Sequence, residues 1–534
     1  MFKQLLLAVL PLALIIAVPL MLRKPGEALD LNADQLVIVS PHNESIRFEF
    51  EQAFRKHYQE KTGRKVMIDW RATGGTSEIV RYVGSAFTSQ FKQYWTKERK
   101  QEWSDEVAAA FMDRRKKPED HPARKAFLES NLGIGIDLMF GGGSYDFNKQ
   151  ASLGTLVPCG FRERHPELFE GKKPILVQSL GGELWYDKQD RFYGACFSSF
   201  GICVNLDRLE KLGYDVTSAS PLHYWRDLGD TRLLGGIGLA DPTMSGSINK
   251  CFEMLVQREM QDIYTALQPR LQDGSLTERD VLDQGWESAM TLIKRAGGNA
   301  RYLTFSAGKV PVDCATGQIA CGMCIDFYGR SQSEWEERHI GRKTMLYLTP
   351  EVGSSVSCDP IGMFRGAPHP ELAKMFIDFV MSKEGQALWN RKVGVPGGPQ
   401  KYCLNRLSVR RDLYTPEERA LMVSPEAAPF ELAGAFTYQA AWTAAYFDLL
   451  RNLIRVMLID CAPELRAAWT AIVKAGGPDA CPQAMAEFRK LPFAHHEAPE
   501  AAKRLQTPES QTIAIREWAD FFRNTYQNAR ALAK

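Results

Sequence analysis

Within residues 241–257, DPTMSGSINKCFEMLVQ, Thr243, Ser245, Gly246 and Ser247 stand just ahead of Ile248, Cys251, Phe252 and Leu255. Apolar spacings of three and four mark one buried helix face. Small hydroxyl residues ahead of such a face cap the helix, while the other first-turn N–H groups point outward. A helix start of this kind carries partial positive charge and free donors, so it suits an anion. Plain capping accounts for the same residues. The chain repeats this junction: Gly74, Gly75 and Thr76 follow the apolar run 66–70, and Gly142 and Gly143 follow 136–140. Asp326 and Tyr328 follow the run 319–325, and His42 and Asn43 follow Pro41 at the end of 36–39. Each of these has a bland counterpart, such as a turn, a cap or a positive φ at glycine.

The elements that must hold these residues are short apolar runs, each followed by a helical pattern. A strand and then a helix, three times before residue 150, is the mark of an α/β fold with a mainly parallel sheet. Ligands in such sheets gather beyond the carboxyl ends of the strands, where these junctions fall. The β-prone run 195–205, with Ser198 and Ser199 inside it, suits a crossing from one lobe to another. The run 356–364 reads as the crossing back, so two α/β lobes with a cleft between them are expected. The expected division is 31–200 with 355–417 for the first lobe and 201–354 for the second. Residues 88–130 read as an inserted amphipathic surface subdomain without chemistry of its own, and 418–534 as a helical C-terminal extension.

The 534 residues, 45% hydrophobic and 24% charged, describe a globular protein of two or three domains. A net charge of +2 lacks the basic excess that tracking nucleic acid phosphates would need. Lys3 precedes an apolar run, 5–22, that is closed by Arg23, Lys24 and Pro25. Its length approaches that of a bilayer core, so residues 1–30 are expected to be a retained signal anchor rather than a cleaved signal peptide. Either outcome exports the folded part to the periplasmic side. Eleven cysteines include Cys321 and Cys324, a lone C-x-x-C inside an apolar run that reads as a buried strand. Without a second pair at zinc spacing, this is expected to be structural. Cys461 and Cys481 are a candidate disulfide in an exported chain.

Taken together, the pieces resemble a periplasmic solute-binding protein of an ABC importer, more narrowly the family-1 extracellular binding proteins that include ferric-iron-binding members. The resemblance rests on Gly141-Gly142-Gly143-Ser144-Tyr145-Asp146 with Gly154-x-Leu156-Val157-Pro158, and on Ser198-Ser199-Phe200-Gly201-Ile202 with Asn205. Asp241-Pro242-Thr243-x-Ser245-Gly246 and Gly322-Met323-x-Ile325-Asp326-x-Tyr328 add to it, with the segment from His369 to Gln386. It implies a type II-like, two-lobed trap that closes on a small ligand and hands it to a membrane permease with its ATPase. It also implies Tyr328 and His42 as candidate ligands for ferric iron, which favours oxygen donors. The family pattern has a tyrosine pair, and here the neighbour of Tyr328 is Phe327. Relatives of similar architecture bind phosphorylated or other anionic organic solutes, which the Gly/Ser/Thr helix starts suit equally. Iron, with or without a synergistic anion, and an organic anion both stand as cargo at this point.

An enzyme is the rival from another class. No G-x-S-x-G or H-E-x-x-H is present, and the nine histidines are scattered, so no catalytic constellation and no enzymatic cofactor are expected. A tethered sensor module is the other rival, and it would need a second chain to signal.

Overall fold

The computed structural model describes residues 33–218 and 221–534. The expected anchor at 5–22 lies outside the described residues. Among the described residues no helix is long and apolar enough to cross a membrane.

The chain opens with β1 (Asp34–Val39), α1 (Glu44–Thr62), β2 (Val66–Arg71) and α2 (Thr76–Gln93). Leu36 and Ile38 of β1 face one core, while Val37 and Val39 face another. A strand covered on both sides reads as a continuous apolar run rather than an alternating one. β3 (Leu138–Phe140) lies on the other edge of β1, so that Ile38 stands opposite both Trp70 and Leu138 in parallel register. Next come α3 (Ser144–Leu153), β4 (Leu156–Val157) and β5 (Tyr193–Ser198).

Ser199 is the single residue between β5 and β6 (Phe200–Asn205), and there the chain changes sheets. The second sheet adds β7 (Ile237–Ala240), α4 (Gly246–Gln272), α5 (Glu278–Gly298) and β8 (Ala300–Thr304). β9 (Cys321–Ile325), α6 (Asp326–Ile340) and β10 (Met345–Leu348) complete it. β11 (Ser357–Phe364) returns to the first sheet, followed by α7 (Pro370–Met381). The orders are β2-β1-β3-β11-β4, with β5 also on β11, and β8-β7-β9-β6-β10. The molecule is therefore a two-lobed α/β protein.

Both sheets are more mixed than a mainly parallel reading expects. β11 runs antiparallel to β3, β4 and β5, and β6 antiparallel to β9 and β10. The reason is topological, because the strands that carry the chain between lobes enter each sheet against the direction of the βα units.

The insert is more than a surface appendage. Phe91 stacks on Phe111 with ring centroids 4.6 Å apart, and with Phe127 they share a core with Val37 and Val39. The C-terminal helices likewise join the core of the second lobe, where Trp469, Phe522 and Tyr526 meet Trp286 and Ile293. Gly298 makes that approach possible, since a Cβ there would lie 2.5 Å from the Trp469 ring. Cys461 and Cys481 are free thiols, not a disulfide, and Cys461 donates to the Ala519 carbonyl at 3.5 Å. Cys321 and Cys324 are buried free thiols in β9.

Candidate functional site

Between the two sheets lies a cleft of about 550 Å³. Three helices begin at its wall: α2 and α3 from the first lobe and α4 from the second. Glycine precedes the first two, so neither α2 nor α3 has a side-chain cap. Their first-turn N–H groups are left for something else to satisfy. Gly142, at φ +118°, lets the backbone pass Thr76, because a Cβ there would approach Thr76 Cγ2 to 2.8 Å. At α4, Ser245 accepts from Ile248 N at 3.4 Å, and its hydroxyl lies 3.0 Å from that of Ser247.

Asp146, in the first turn of α3, is buried and also lines the cleft. Burial pushes its carboxyl up to about 6, against the pull of Arg451, with Asp448 raising it further and Lys149 opposing.

A second group gathers at the hinge end. Arg406, 1% exposed, donates to Ser198 Oγ at 2.5 Å and lies 2.7 Å from Asp359. Ser198 in turn donates to Asp359 at 3.0 Å. Burial alone would raise the Asp359 carboxyl, but the Arg406 guanidinium and the His42 contact hold it down at about 2. Burial holds the His42 imidazole below its ordinary value. Its Nε2 lies 3.8 Å from Asp359, and Arg406 reaches the same atom at 3.5 Å. The guanidinium also stacks 4.4 Å from the Phe327 ring centroid.

A third group crosses the lobes. Lys250 of α4 lies 2.8 Å from Glu183 and 2.9 Å from Glu253. Burial would lower the ammonium, but the two carboxylates outweigh it and hold it well above the ordinary value. Ser355 donates to Glu183 at 2.6 Å, while Tyr438 and Thr443 donate to Glu253 at 2.7 and 2.6 Å.

Of the residues expected from sequence, His42, Asn43, Gly75, Thr76, Gly142, Gly143, Ser245, Gly246, Ser247 and Tyr328 line this one cleft. Gly74, Ser198, Ser199, Thr243 and Asp326 are outside its lining. Gly74, at φ +124°, shapes the turn before α2. Thr243 is tied to Asp241 through its N–H at 2.8 Å and its hydroxyl at 2.6 Å. Asp326 accepts from Arg330 at 2.6 Å and from Phe327 N at 2.8 Å. Ser199 donates to Asp326 at 3.3 Å at the lobe crossing, and Ser198 acts behind the wall through Arg406. Asp146, Glu183, Lys250, Glu253, Asp359 and Arg406 line the cleft and are outside the expected set. Lys250 and Glu253, three apart within an otherwise apolar helix face, are the one sequence signal that points to them. Arg114 of the insert reaches the cleft too, contrary to an insert without chemistry.

As metal ligands, His42 and Tyr328 have little company. Among the described residues no group of three or more His, Cys, Asp or Glu could hold a metal ion. Burial raises the Tyr328 phenol and so opposes the phenolate, against the pull of Arg406. The ring beside it, 4.2 Å away, is Phe327, which has no oxygen.

Residues 151–401 match the family described as bacterial extracellular solute-binding protein. Over 188 residues, 35% of this chain, the sequence is 27% identical to an uncharacterized protein of Haemophilus influenzae, and the match spans 44% of that relative's length. Among solved structures, the periplasmic binding protein AfuA of Actinobacillus pleuropneumoniae, with exogenous fructose-6-phosphate bound, is similar at 18% identity and a TM-score of 0.41. It covers 67% of this chain and 82% of its own. The ferric binding protein of Campylobacter jejuni is similar at 13% identity and a TM-score of 0.46, covering 78% and 99%. A putative extracellular solute-binding protein of Bordetella parapertussis gives 11% identity and 0.47, covering 80% and 99%.

Proposed function

We propose that this chain, whose residues 151–401 match the bacterial extracellular solute-binding protein family, captures an organic anion for an ABC importer. The observation that carries the choice of ligand is the convergence of three helix N-termini, two without side-chain caps, on one cleft of about 550 Å³. Such termini offer N–H donors and positive potential to an anionic group. The volume is that of a small organic molecule and far exceeds a single ion. Ferric iron is the weaker reading. His42 and Tyr328 share the cleft, but among the described residues no group of three or more His, Cys, Asp or Glu could hold a metal ion, and Phe327 beside Tyr328 has no oxygen to offer. Asp146, which also lines the cleft, adds an acceptor for a hydroxyl or amino group of the same ligand.

In this reading the lobes are 31–200 with 355–417 and 201–354, hinged at Ser199 and at the return into β11. The protein works in the periplasm, held to the cytoplasmic membrane by residues 5–22, and delivers its ligand to a permease and ATPase.

The test is a thermal-shift titration of the full chain, purified free of metal and phosphate, against ferric citrate and a panel of phosphorylated sugars and phosphonates. Ligand that binds the folded state raises the melting temperature with saturation. A shift with a phosphate ester that survives chelator and Tyr328→Phe supports the anion. A shift with ferric citrate alone, abolished in Tyr328→Phe, overturns it in favour of iron.

A further inference from the structure

The cleft has a third wall, supplied by the C-terminal extension well beyond residue 401, where the family match ends. Tyr438, Ala440, Ala444, Ala445 and Phe447 line it there. Several hydrogen-bonding groups of this segment are committed to α4. Asn249 donates to the Phe447 carbonyl at 2.9 Å, and Gln257 takes both the carbonyl and the N–H of Gln439 at 2.9 Å. Thr443 and the Tyr438 hydroxyl are engaged by Glu253. What faces the cleft here is three alanine methyls and the Phe447 ring, while the Tyr438 ring carries the Lys250 ammonium 4.0 Å from its centroid. Ala440 and Ala445 are exposed and Ala444 is half-buried, so these methyls are open to whatever fills the space. Phe447 is fixed by Tyr145, 4.8 Å away across the lobe boundary. On the second-lobe side the lining includes the Phe200 and Phe327 rings.

We infer that residues 438–447 are a specificity wall that seats an apolar, preferably aromatic, group of the anionic ligand. The inference rests on the organic-anion reading above and adds the second half of the ligand's chemistry. The alanine methyls and the Phe447 ring offer a ligand apolar area, and covering that area is favourable for an apolar partner. A sugar-like group placed there would lose hydrogen bonds to water without replacement.

The experiment is calorimetric titration of the full chain with three probes: phenyl phosphate, glycerol 3-phosphate and inorganic phosphate. Phenyl phosphate is expected to bind about ten-fold more tightly than glycerol 3-phosphate. In Ala444→Glu, which sets a charge on the wall, that ratio is expected to fall to about one. Ala445→Glu serves as an independent variant if Ala444→Glu fails to fold. Equal binding of the two esters by the parent chain overturns the wall while leaving the anion reading intact. A ratio unmoved in both variants also overturns it. No binding of any of the three overturns the anion reading, and the wall with it.

Discussion

Tyr145 donates its phenol hydrogen to Asp448 at 3.0 Å, a contact between residues 303 positions apart. The tyrosine is on α3 of the first lobe. The aspartate is on α8 (Phe447–Arg455), which packs against α4 of the second through Asn249 and Phe447. Lys149, one turn further along α3, adds an ion pair to the same carboxylate at 3.2 Å. Burial would raise the Asp448 carboxyl, but Lys149 and Arg451 hold it below its usual range. The extension thus reaches across the mouth of the cleft and touches both lobes.

Asp448→Ala removes this clasp. The Asp448 side chain is 43% exposed, and solvent screening keeps the loss of stability to about 1 kcal/mol. The larger effect is expected in dynamics. Amide hydrogens in the first turns of α3 should exchange faster in the variant, because that helix loses its tie to α8. Unchanged exchange there, with an unchanged melting temperature, would show that the clasp holds nothing.

The pair Arg406 and Asp359 gives a pH dependence with a definite sign. The folded carboxyl sits at about 2, below its ordinary value, so its contribution is fully present above about pH 4. It is lost as pH falls from there through 2, and amounts to something on the order of 2 kcal/mol. Asp359→Asn should flatten the acid limb of the stability profile between pH 4 and 2, as read by denaturant melts. An acid limb of unchanged steepness in that variant would assign the dependence to other carboxylates.

How far the sequence foretold this site follows from the range of each interaction. The helix starts at Thr76, Ser144 and Gly246 were legible because apolar spacing and small residues are local signals, and all three meet at the cleft. The charged groups were not, because their partners are remote in the chain. Arg406 meets Ser198 across 208 positions, and Glu183 of the first lobe meets Lys250 of the second. Residues 418–534 were legible as helical, but amphipathic periodicity does not say where a helix docks. It takes long-range contacts, such as the hydrogen bonds from Asn249 and Gln257 and those to Glu253, to place residues 438–447 on the cleft. The insert was misread for a related reason. Its charged residues mark an exposed face, while Phe91, Phe111 and Phe127 were needed in a core that the strands alone do not fill.

Asp146 makes anion binding sensitive to proton concentration. Burial raises its carboxyl to about 6, with Arg451, Asp448 and Lys149 as the charged neighbours. Below that pH it is neutral and tolerates an anion at the nearby start of α4. Above it, a second negative charge enters the cleft. The affinity for phenyl sulfate, which stays singly charged throughout, is expected to fall about ten-fold between pH 5 and 7.5. Asp146→Asn should make the profile flat. A parent profile already flat over this range would show that the carboxyl does not face the bound anion.

Lys250 joins the lobes by charge, and its removal should cost more than that of any surface pair. Its side chain is 14% exposed, those of Glu183 and Glu253 7% and 1%. Lys250→Met leaves two carboxylates buried side by side with no cation between them, an arrangement that costs about 3 to 5 kcal/mol. The cost lies in the unpaired charges rather than in a lost attraction, so removing one of them should restore part of the stability. Lys250→Met with Glu253→Gln is therefore expected to be more stable than Lys250→Met alone, by about 1 to 3 kcal/mol. Denaturant melts of the parent, both single variants and the double variant give the coupling directly. If the two effects simply add, the three side chains do not share one electrostatic site, and Lys250 does not join the lobes by charge.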